Sequence, residues 1–404
     1  MSMRGKAAVV GVGSTPYYRR GRSLPQTPLE MAAKAIFAAC DDAGLEVEEV
    51  DGFSLYAGSL DPGNLSGVLG IPEVRFAATL TSGGGGASGS VGMAAAAIHA
   101  GLANVVVSLM TLQQSSRRLG GSSTSAPAGG GGGGAYGPGG GVPPEWAFTA
   151  PAGIASPGHN FAMLTQRHMY QYGTRREAFA EICISQRNNA LRRPTSLFTE
   201  PLTLDDYFNA RMISDPLSLY DYTMESDGAV AVVTTSIDRA RDLRQPPAVI
   251  LGSAMGGSWD AHNLLGWFQQ PDETFASSGH RAVARQVYAM AGVGAEDIDV
   301  ALLYDHFSPM VLMQIEDYGF CPVGEGGRFV EEGNVRWPTG KIPVNTHGGN
   351  LSEAYIIGMT HVKEAVEQVR GTAVNQVEGC ELSLSTGGPA AIPMSATIFA
   401  RDRR

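Results

Sequence analysis

The first hundred residues alternate between short apolar runs and longer segments with helical apolar spacing, which predicts strands separated by helices. Apolar residues fill 7–13 and 51–56. Between them, Thr27 and Pro28 are the residue types that favour a helix start, and the predicted helix ends near Gly44. An order of strand, helix and strand is typical of α/β proteins, in which helices cover the faces of a sheet.

A glycine-rich loop at 79–86 leads into a segment of small residues at 88–101. A helix of so little bulk can pack very closely against its neighbours, so we predict that it is central and buried. Its N-terminus would present backbone N–H groups and the positive end of the helix dipole to whatever the loop holds. A further strand is predicted at 104–110.

The second part of the chain repeats this pattern. The predicted segments are strands at 249–253, 297–307, 380–385 and 395–400 and a helix at 281–291. We therefore predict two similar α/β halves, 1–244 and 245–404, with a loop insertion at about 111–222 in the first half. The insertion contains six consecutive glycines at 129–134, which favours either a disordered surface loop or a flap that covers the substrate.

The stretch at 345–358 concentrates polar residue types between two apolar runs. It reads NTHGGNLSEAYIIG, and helical apolar spacing is present over 354–369. Gly348 and Gly349 supply the backbone freedom that lets main-chain N–H groups turn toward a ligand. The pattern predicts a loop that presents side chains to a pocket, although a turn followed by a surface helix has the same pattern.

Composition narrows the classes of function. The 404 residues are 43% hydrophobic and 17% charged, as in a globular protein, and the net charge of −10 argues against nucleic acid as the main partner. No apolar run reaches the ~18 to 20 residues that span a bilayer, and no signal-peptide pattern is present, so we expect a cytoplasmic protein without a membrane span. The four cysteines lie far apart, and no His, Cys or carboxylate cluster has metal-ligand spacing, so we expect reduced thiols and no metal.

Four segments resemble the signature motifs of the thiolase superfamily, and the resemblance runs over nearly the whole chain. Thiolases carry a nucleophilic Cys in a glycine-rich loop that enters a small-residue helix, and Gly86 stands at that place here. Their Asn-Glu-Ala-Phe motif, or His-Asp-Cys-Phe in the sterol-carrier-type branch, reads YDHF at 304–307. In their Gly-His-Pro-x-Gly and Cys-x-Gly-Gly motifs, Tyr355 replaces the catalytic His and Ser385 replaces the second Cys.

The resemblance implies the thiolase fold. This is an α/β architecture of two similar βαβ-type halves, packed as α-β-α-β-α layers, with a loop domain inserted in the first half. It also implies at least a homodimer. Ordinary thiolase chemistry needs a thiolate that holds the acyl group, and the chain has none at Gly86.

The run NTHGGNLSEAY and the motif YDHF look very like the lipid-transfer-protein type thiolase-like aldolases of bacterial steroid side-chain degradation. This resemblance implies retro-aldol cleavage of a β-hydroxyacyl-CoA with a tertiary alcohol on a steroid ring, which yields a keto steroid and propionyl-CoA. CoA is then part of the substrate and no cofactor is expected. The resemblance further implies a hydratase partner with an OB-like domain in a hetero-complex.

Under this interpretation, Tyr304 and Tyr355 are the catalytic acid and base, His306 helps the base, and Asp305 orients its neighbours. Replacement of Cys by glycine at position 86 is expected to make room for a bulky, branched acyl group. The residues expected to bind substrate or an oxyanion are Gly86, Ser88, His347, Gly348, Asn350 and Gly388.

Structural interpretations of the same residues remain open. Either tyrosine could simply pack, His306 could be a core histidine bonded to backbone, and Glu353 could be a charge in the first turn of a helix. Arg117, Arg118, Arg192 and Arg193 are candidate CoA contacts or parts of a solvated face.

Two other functions compete with the aldolase. A divergent acyltransferase would use the hydroxyl of Ser88 or a thiol elsewhere, and it would release free CoA or exchange acyl groups. A catalytically inactive scaffold or acyl-CoA carrier for a hydratase would bind without turnover, and it would be insensitive to changes at Tyr304 and Tyr355.

Overall fold

The structure is a computed structural model. It describes residues 2–56, 60–80, 85–114, 150–154, 156–258, 271–388, 390 and 392–403. The six-glycine run at 129–134, together with Arg117 and Arg118, lies outside these residues.

The described residues contain twelve strands and thirteen α-helices. The strands are β1 (Ala7–Ser14), β2 (Tyr18–Arg19), β3 (Gly52–Tyr56), β4 (Phe76–Leu80), β5 (Val105–Leu112), β6 (Met212–Ser214), β7 (Leu217–Ser218), β8 (Ser226–Ser236), β9 (Ala248–Gly256), β10 (Val300–Leu302), β11 (Leu382–Gly387) and β12 (Met394–Arg401). The helices are α1 (Pro28–Ala43), α2 (Pro62–Leu69), α3 (Gly86–His99), α4 (Pro157–Tyr172), α5 (Arg176–Ala190), α6 (Leu204–Asn209), α7 (Ile237–Ala240), α8 (Asp272–Phe275), α9 (Arg281–Ala291), α10 (Ser308–Asp317), α11 (Gly326–Glu331), α12 (Gly349–Ser352) and α13 (Met359–Arg370).

One mixed sheet organises the molecule, with the strand order β10-β11-β12-β9-β1-β8-β5-β3-β4. Its two parts join where β1 pairs with β9. In the first part, the strands from the join outward are β1, β8, β5, β3 and β4. When β2, β6 and β7, which lie off this path, are left out, these are the first, fifth, fourth, second and third strands of that part along the chain. In the second part, the strands from the join outward are β9, β12, β11 and β10, which repeats the order of the first part. A parallel bridge between Ala301 and Val344 takes the place that β4 has in the first part. The predicted internal similarity is therefore present, while the boundary near residue 244 stays a prediction.

Three apolar clusters define the layers. One joins α1 to strands of the first part, for example through Met31, Ile36 and Val233, and a second joins α9 to strands of the second part. The third contains residues of α3 and α13 together with strands of both parts, such as Val232 and Phe399. Helices α3 and α13 thus lie between two sheet regions, and α1 and α9 lie outside them, which confirms the α-β-α-β-α order.

Helix α3 is central and buried, as its small residues predict. A Cβ on Gly92 would lie 2.1 Å from Ser253 Oγ, and one on Gly89 would lie 2.5 Å from Met255 Sδ, both on β9. Only a glycine permits an approach this close, because heavy atoms cannot come nearer than about 3 Å without displacement.

Three predicted elements differ from the structure. The strand predicted to 307 ends at Leu302, because the Asn345 side chain accepts from Leu303 N and donates to Leu303 O, at 2.7 and 2.9 Å, in place of a neighbouring strand. The helix predicted over 354–369 begins only at Met359, after Ile357 and Gly358 adopt left-handed backbone. The residues Ser-Asp-Gly-Ala at 226–229 have the composition of a turn into a strand, yet they already belong to β8, which begins at Ser226.

Candidate active site

Two phenols meet at the centre of the molecule. Tyr304 lies in the loop after β10, and Tyr355 lies in the irregular segment between α12 and α13. Their hydroxyl oxygens are 3.2 Å apart, and the side chains are almost fully buried. The structure thus brings together the two tyrosines that the sequence predicts as acid and base.

Burial raises the pKa of both phenols. It raises the pKa of Tyr304 well above its ordinary value of 10, and the neighbouring Tyr355 adds to the effect. Burial raises the pKa of Tyr355 to about 12, although the hydrogen bond from Tyr304 works in the opposite direction. Both phenols therefore carry their protons near neutral pH, and Tyr355 is the easier of the two to ionise.

Tyr304 is held by partners that sequence reasoning missed. Its N–H donates to Thr386 Oγ1 at 2.9 Å, and its carbonyl accepts from Gln314 Nε2 at 2.8 Å. Thr386 Oγ1 in turn donates to Gln314 Oε1 at 2.6 Å. The ring packs on Gly358, where a Cβ would lie only 2.8 Å from Tyr304 Cδ2. Helix α10 and strand β11 thus fix the backbone of Tyr304, and a glycine makes space for its ring.

Tyr355 is held by the first residue of β8. Its N–H donates to Ser226 Oγ at 2.8 Å, and the Ser226 hydroxyl donates to the Tyr355 carbonyl at 3.0 Å. Because Tyr355 lies outside any regular helix, this side chain supplies backbone partners that a helix would otherwise provide. The serine is another positioning residue without a signal in the sequence.

Asp305 is positioned to orient rather than to transfer protons. Its carboxylate accepts from the N–H groups of Asn350 and Leu351 at 3.0 and 3.2 Å, and it lies 2.9 Å from His361 Nε2. The carboxylate therefore anchors the first turn of α12. A Cβ on Gly349 would lie 2.1 Å from Asp305 Oδ2, which explains one glycine of the pair.

His306 lies against Tyr304, with ring centroids 5.3 Å apart. Its ring is nearly perpendicular to that of Phe161, and these two ring centroids are 4.4 Å apart. Burial lowers the pKa of His306 to about 3, so its imidazole is neutral at physiological pH. Its Nδ1 atom is buried without a hydrogen-bond partner. The alternative of a core histidine bonded to backbone therefore does not hold for Nδ1.

The polar stretch at 345–358 leaves several buried polar atoms unpartnered. Both ring nitrogens of His347 and both amide atoms of Asn350 are buried without hydrogen-bond partners. Burial, together with the adjacent His361, lowers the pKa of His347 well below its ordinary value. Because such atoms cost free energy unless a partner satisfies them, they mark where a polar ligand could bind.

The sequence predicts that main-chain N–H groups of this stretch turn toward a ligand, and two of them do not. Gly348 N–H donates to the Asn345 carbonyl at 2.8 Å, and the Asn350 N–H goes to Asp305. Gly348 and Gly349 do adopt left-handed backbone, with φ of 100° and 64°. Their freedom shapes the loop, while the side chains of His347 and Asn350 remain the available polar groups.

The start of α3 holds no nucleophile. Ser88 Oγ lies 2.9 Å from Ser385 Oγ, so the hydroxyl that could act as a nucleophile pairs with another hydroxyl and not with a histidine or carboxylate. All four cysteines are buried. Burial raises the thiol pKa to about 12 in Cys40, Cys321 and Cys380, and well above its ordinary value in Cys183. These features disfavour the acyltransferase alternative.

Gly86 does not open space for a bulky acyl group, contrary to expectation. A Cβ at this position would lie 1.8 Å from Cδ2 of Tyr56. The ring of Tyr56 therefore occupies the room that the missing side chain leaves. Gly388, just after β11, is buried and has left-handed backbone, with φ of 74°.

A buried charge cluster fixes the segment that carries Tyr355. Arg193 donates to Glu353 Oε1 at 2.7 Å and to Glu364 Oε2 at 2.8 Å, and Thr346 donates to Glu364 Oε1 at 2.6 Å. Glu353 is therefore not an exposed charge of a first helical turn, and Arg193 is neither solvated nor free for CoA. Arg192 is exposed and lies over the Trp337 ring.

The described part of the chain contains neither a cluster of metal ligands nor a membrane-spanning helix. No group of three or more His, Cys, Asp or Glu side chains there is arranged to hold a metal ion. No helix there is long and apolar enough to cross a bilayer.

Comparison with known proteins identifies the family. Residues 260–400 match the family described as thiolase C-terminal domain-like. A steroid side-chain-cleaving aldolase of Thermomonospora curvata is 38% identical over 402 residues, covering 99% of each chain. The 17-hydroxy-3-oxo-4-pregnene-20-carboxyl-CoA lyase of Mycobacterium tuberculosis is 36% identical, covering 98% of this chain and 100% of the lyase.

The solved structure of an Ltp2-ChsH2(DUF35) aldolase superposes over 100% of both chains, with a TM-score of 0.89 and 36% identity. Sequence and fold agree, and the chain belongs to the thiolase superfamily, in its branch of thiolase-like aldolases.

Proposed function

We propose that the protein cleaves a β-hydroxyacyl-CoA by a retro-aldol reaction. The substrate carries a tertiary alcohol on a steroid ring, and the products are a keto steroid and propionyl-CoA. The observation that carries this proposal is the pair of buried phenols, Tyr304 and Tyr355, 3.2 Å apart in a site without a nucleophilic thiol. The steroid side-chain-cleaving aldolase and the pregnene-carboxyl-CoA lyase among the relatives support this substrate class.

The reaction needs proton transfers and no covalent intermediate. A base takes the proton of the β-hydroxyl, and the oxygen forms a carbonyl as the bond between Cα and Cβ breaks. The electron pair of that bond goes to the thioester enolate, whose Cα then takes a proton from an acid. Each step balances without an oxidant or metal, so CoA enters only as part of the substrate and no cofactor is required.

We assign the base role to Tyr355 and the acid role to Tyr304, acting as one relay. As Tyr355 takes the proton of the β-hydroxyl, its own phenol proton passes to Tyr304 across the 3.2 Å contact, and the proton of Tyr304 goes to Cα. The hydrogen bond from Tyr304 favours the ionised form of Tyr355, whose pKa of about 12 is the lower of the two. Tyr304 keeps its proton more firmly and suits the protonation of Cα. The neutral imidazole of His306 lies beside Tyr304 and can exchange a proton through its unpartnered Nδ1.

The enolate needs donors that are in place before the reaction. The side-chain amide of Asn350 and the imidazole of His347 carry unpartnered polar atoms that fit this role. The first-turn N–H groups of α3, beginning at Gly86, have no partner within the helix and add the positive end of its dipole. The main chain near Gly388, just after β11, is a further proposed donor, whereas the Ser88 hydroxyl pairs with that of Ser385.

The assembly we propose is a cytoplasmic homodimer that binds a hydratase partner with an OB-like domain. The Ltp2-ChsH2(DUF35) aldolase supports the hetero-complex, because the whole chain superposes on it. In this arrangement the partner forms the β-hydroxyl that the aldolase then uses.

The decisive experiment is product analysis. The purified chain, alone and with its partner, is mixed with a steroid acyl-CoA that bears a tertiary β-hydroxyl, and mass spectrometry follows the products. We expect a keto steroid and propionyl-CoA in equal amounts, without free CoA. Release of free CoA or acyl exchange would instead establish acyl transfer. Tight binding without products, with the partner present, would establish the scaffold.

A further inference from the structure

Tyr56 is a buried phenol that the proposed mechanism leaves unused. It ends β3, and only 1% of its surface is exposed. A Cβ built on Gly86 would lie 1.8, 2.2 and 2.4 Å from its Cδ2, Cε2 and Cγ atoms. Three ring atoms at these distances mean that the ring lies directly on the Cα of Gly86.

The glycine at position 86 is not demanded by the backbone. Gly86 is the first residue of α3 and is not among the glycines with positive φ. Glycine weakens a helix relative to alanine, so the helix itself gives no reason for it. The close approach of Tyr56 does, because any side chain larger than hydrogen would collide with the ring.

Tyr56 is also a neighbour of the catalytic pair. The Tyr304 ring packs on Gly358, and the position of a Cβ there lies 3.4 Å from Ala87 Cβ, the residue after Gly86. The charge of an ionised Tyr56 would raise the pKa of Tyr304, so the two phenols are close enough to interact. The Tyr56 ring therefore lies on the first turn of α3, and Gly358, on which the Tyr304 ring packs, lies next to the same turn.

We propose that Tyr56 is a positioning residue of the aldolase site, matched to Gly86, whose ring fixes the start of α3 and the place of Tyr304. The same ring excludes any side chain at position 86, so it keeps the site from holding an acyl group covalently. The part of this inference that concerns catalysis rests on the proposed function, whereas the steric match does not.

A double-mutant cycle tests the match. Gly86→Ala should lower kcat/KM by about 100-fold and lower the thermal unfolding midpoint, because its Cβ displaces the ring. Tyr56→Ala should lower kcat by about 10-fold, and Tyr56→Phe, which keeps the ring, should stay within about threefold of the natural protein. The double variant Gly86→Ala/Tyr56→Ala should recover at least about tenfold over Gly86→Ala alone, with a higher midpoint.

Gly89→Ala is the control, because its Cβ meets Met255 and not Tyr56. Adding Tyr56→Ala should not restore the kcat/KM or the unfolding midpoint of the Gly89→Ala variant. Additive losses in the Gly86 and Tyr56 cycle would overturn the match. Equal losses in Tyr56→Phe and Tyr56→Ala would overturn the positioning role and assign chemistry to the hydroxyl. The unfolding midpoints need no substrate, so they decide the steric match even if the natural protein cleaves nothing.

Discussion

The two parts of the sheet place a tyrosine in corresponding positions and use it differently. In the first part, Tyr56 ends the second strand, and its ring lies on Gly86 at the start of the central helix α3. In the second part, Tyr304 follows the second strand, β10, and its ring lies on Gly358 at the start of the central helix α13. A tyrosine on a glycine at a helix start is thus repeated.

The difference lies in what surrounds each hydroxyl and each helix start. Tyr304 meets a second phenol, Tyr355, in a segment that buried charges hold in place. Tyr56 instead fills the volume of a side chain that the chain lacks. We propose that one copy of the motif carries proton transfer and that the other provides shape. The same packing can therefore serve chemistry or exclude it, depending on the neighbours of the ring.

The largest effect should follow loss of either catalytic hydroxyl. Tyr304→Phe and Tyr355→Phe keep the ring and should each reduce kcat by about 10³- to 10⁴-fold, because the proton transfers lose their donor or acceptor. The thermal unfolding midpoint should stay near that of the natural protein. The exposed Tyr170 provides the matched control, and Tyr170→Phe should leave kcat unchanged. An active double variant at Tyr304 and Tyr355 would contradict the assignment.

The charge cluster that holds the Tyr355 segment should give the next largest effect. Arg193→Met would leave Glu353 and Glu364 buried without their partner, which should cost about 3–5 kcal/mol of unfolding free energy. Denaturant unfolding measures this loss. Arg192→Met is the control, because Arg192 is exposed and lies over Trp337, and it should cost only about 0.5–1 kcal/mol. Similar losses in the two variants would mean that burial of the cluster is not what stabilises the segment.

Gly358→Ala should disturb the Tyr304 copy of the motif through both backbone and ring. Gly358 has a φ of 83°, so alanine should cost about 1–3 kcal/mol in strain, and its Cβ would push on Tyr304. Unfolding should report the strain, and kcat should fall as well. Gly70→Ala has a comparable φ of 74° with no atom within 4 Å, so it isolates the strain alone. Equal effects on kcat would show that the push on Tyr304 is unimportant.

The smallest effect concerns the histidines on the Tyr304 side. Burial lowers the pKa of His280 to about 4, below its unfolded value of about 6.5, so the unfolded chain binds a proton first as pH falls. The stability from neutral His280 is present above pH 6.5 and should decline by about 2 kcal/mol between pH 7 and 5. Denaturant unfolding at the two pH values measures the decline. His280→Gln should remove this share of the decline and leave the share of His306 and His347, whose pKa values burial also lowers. A change at the exposed His99 should leave the decline unchanged.

Local sequence patterns predicted much of the fold. Thr27 caps α1 through the N–H of Glu30, and Gly44 ends that helix with a φ of 75°, because such signals act within a few residues. Helix α9 has the predicted bounds, Arg281–Ala291. The predicted helix around Tyr355 was wrong because Ser226, 129 residues away, supplies its backbone partners and no periodicity can report that.

The residues of the candidate site also fall into those that the sequence predicted and those that only the structure revealed. The resemblance to thiolase motifs singled out Tyr304, His306 and Tyr355, because each lies in a segment that aligns with one of those motifs. They did not reveal Gln314 and Thr386, whose side chains bind the Tyr304 backbone, or Tyr56, which lies in an ordinary buried strand. These residues gain their roles from contacts across the fold.

By itself the sequence determined the α/β repeat through its local spacing. Its resemblance to the thiolase motifs identified the missing nucleophile at Gly86 and the two tyrosines that replace catalytic groups. Only the tertiary structure decided that the two hydroxyls meet, that Arg193 is buried among carboxylates, and that Tyr56 fills the place of the absent side chain. Such distances and burial arise when segments far apart in the chain pack together, and packing depends on every neighbour at once.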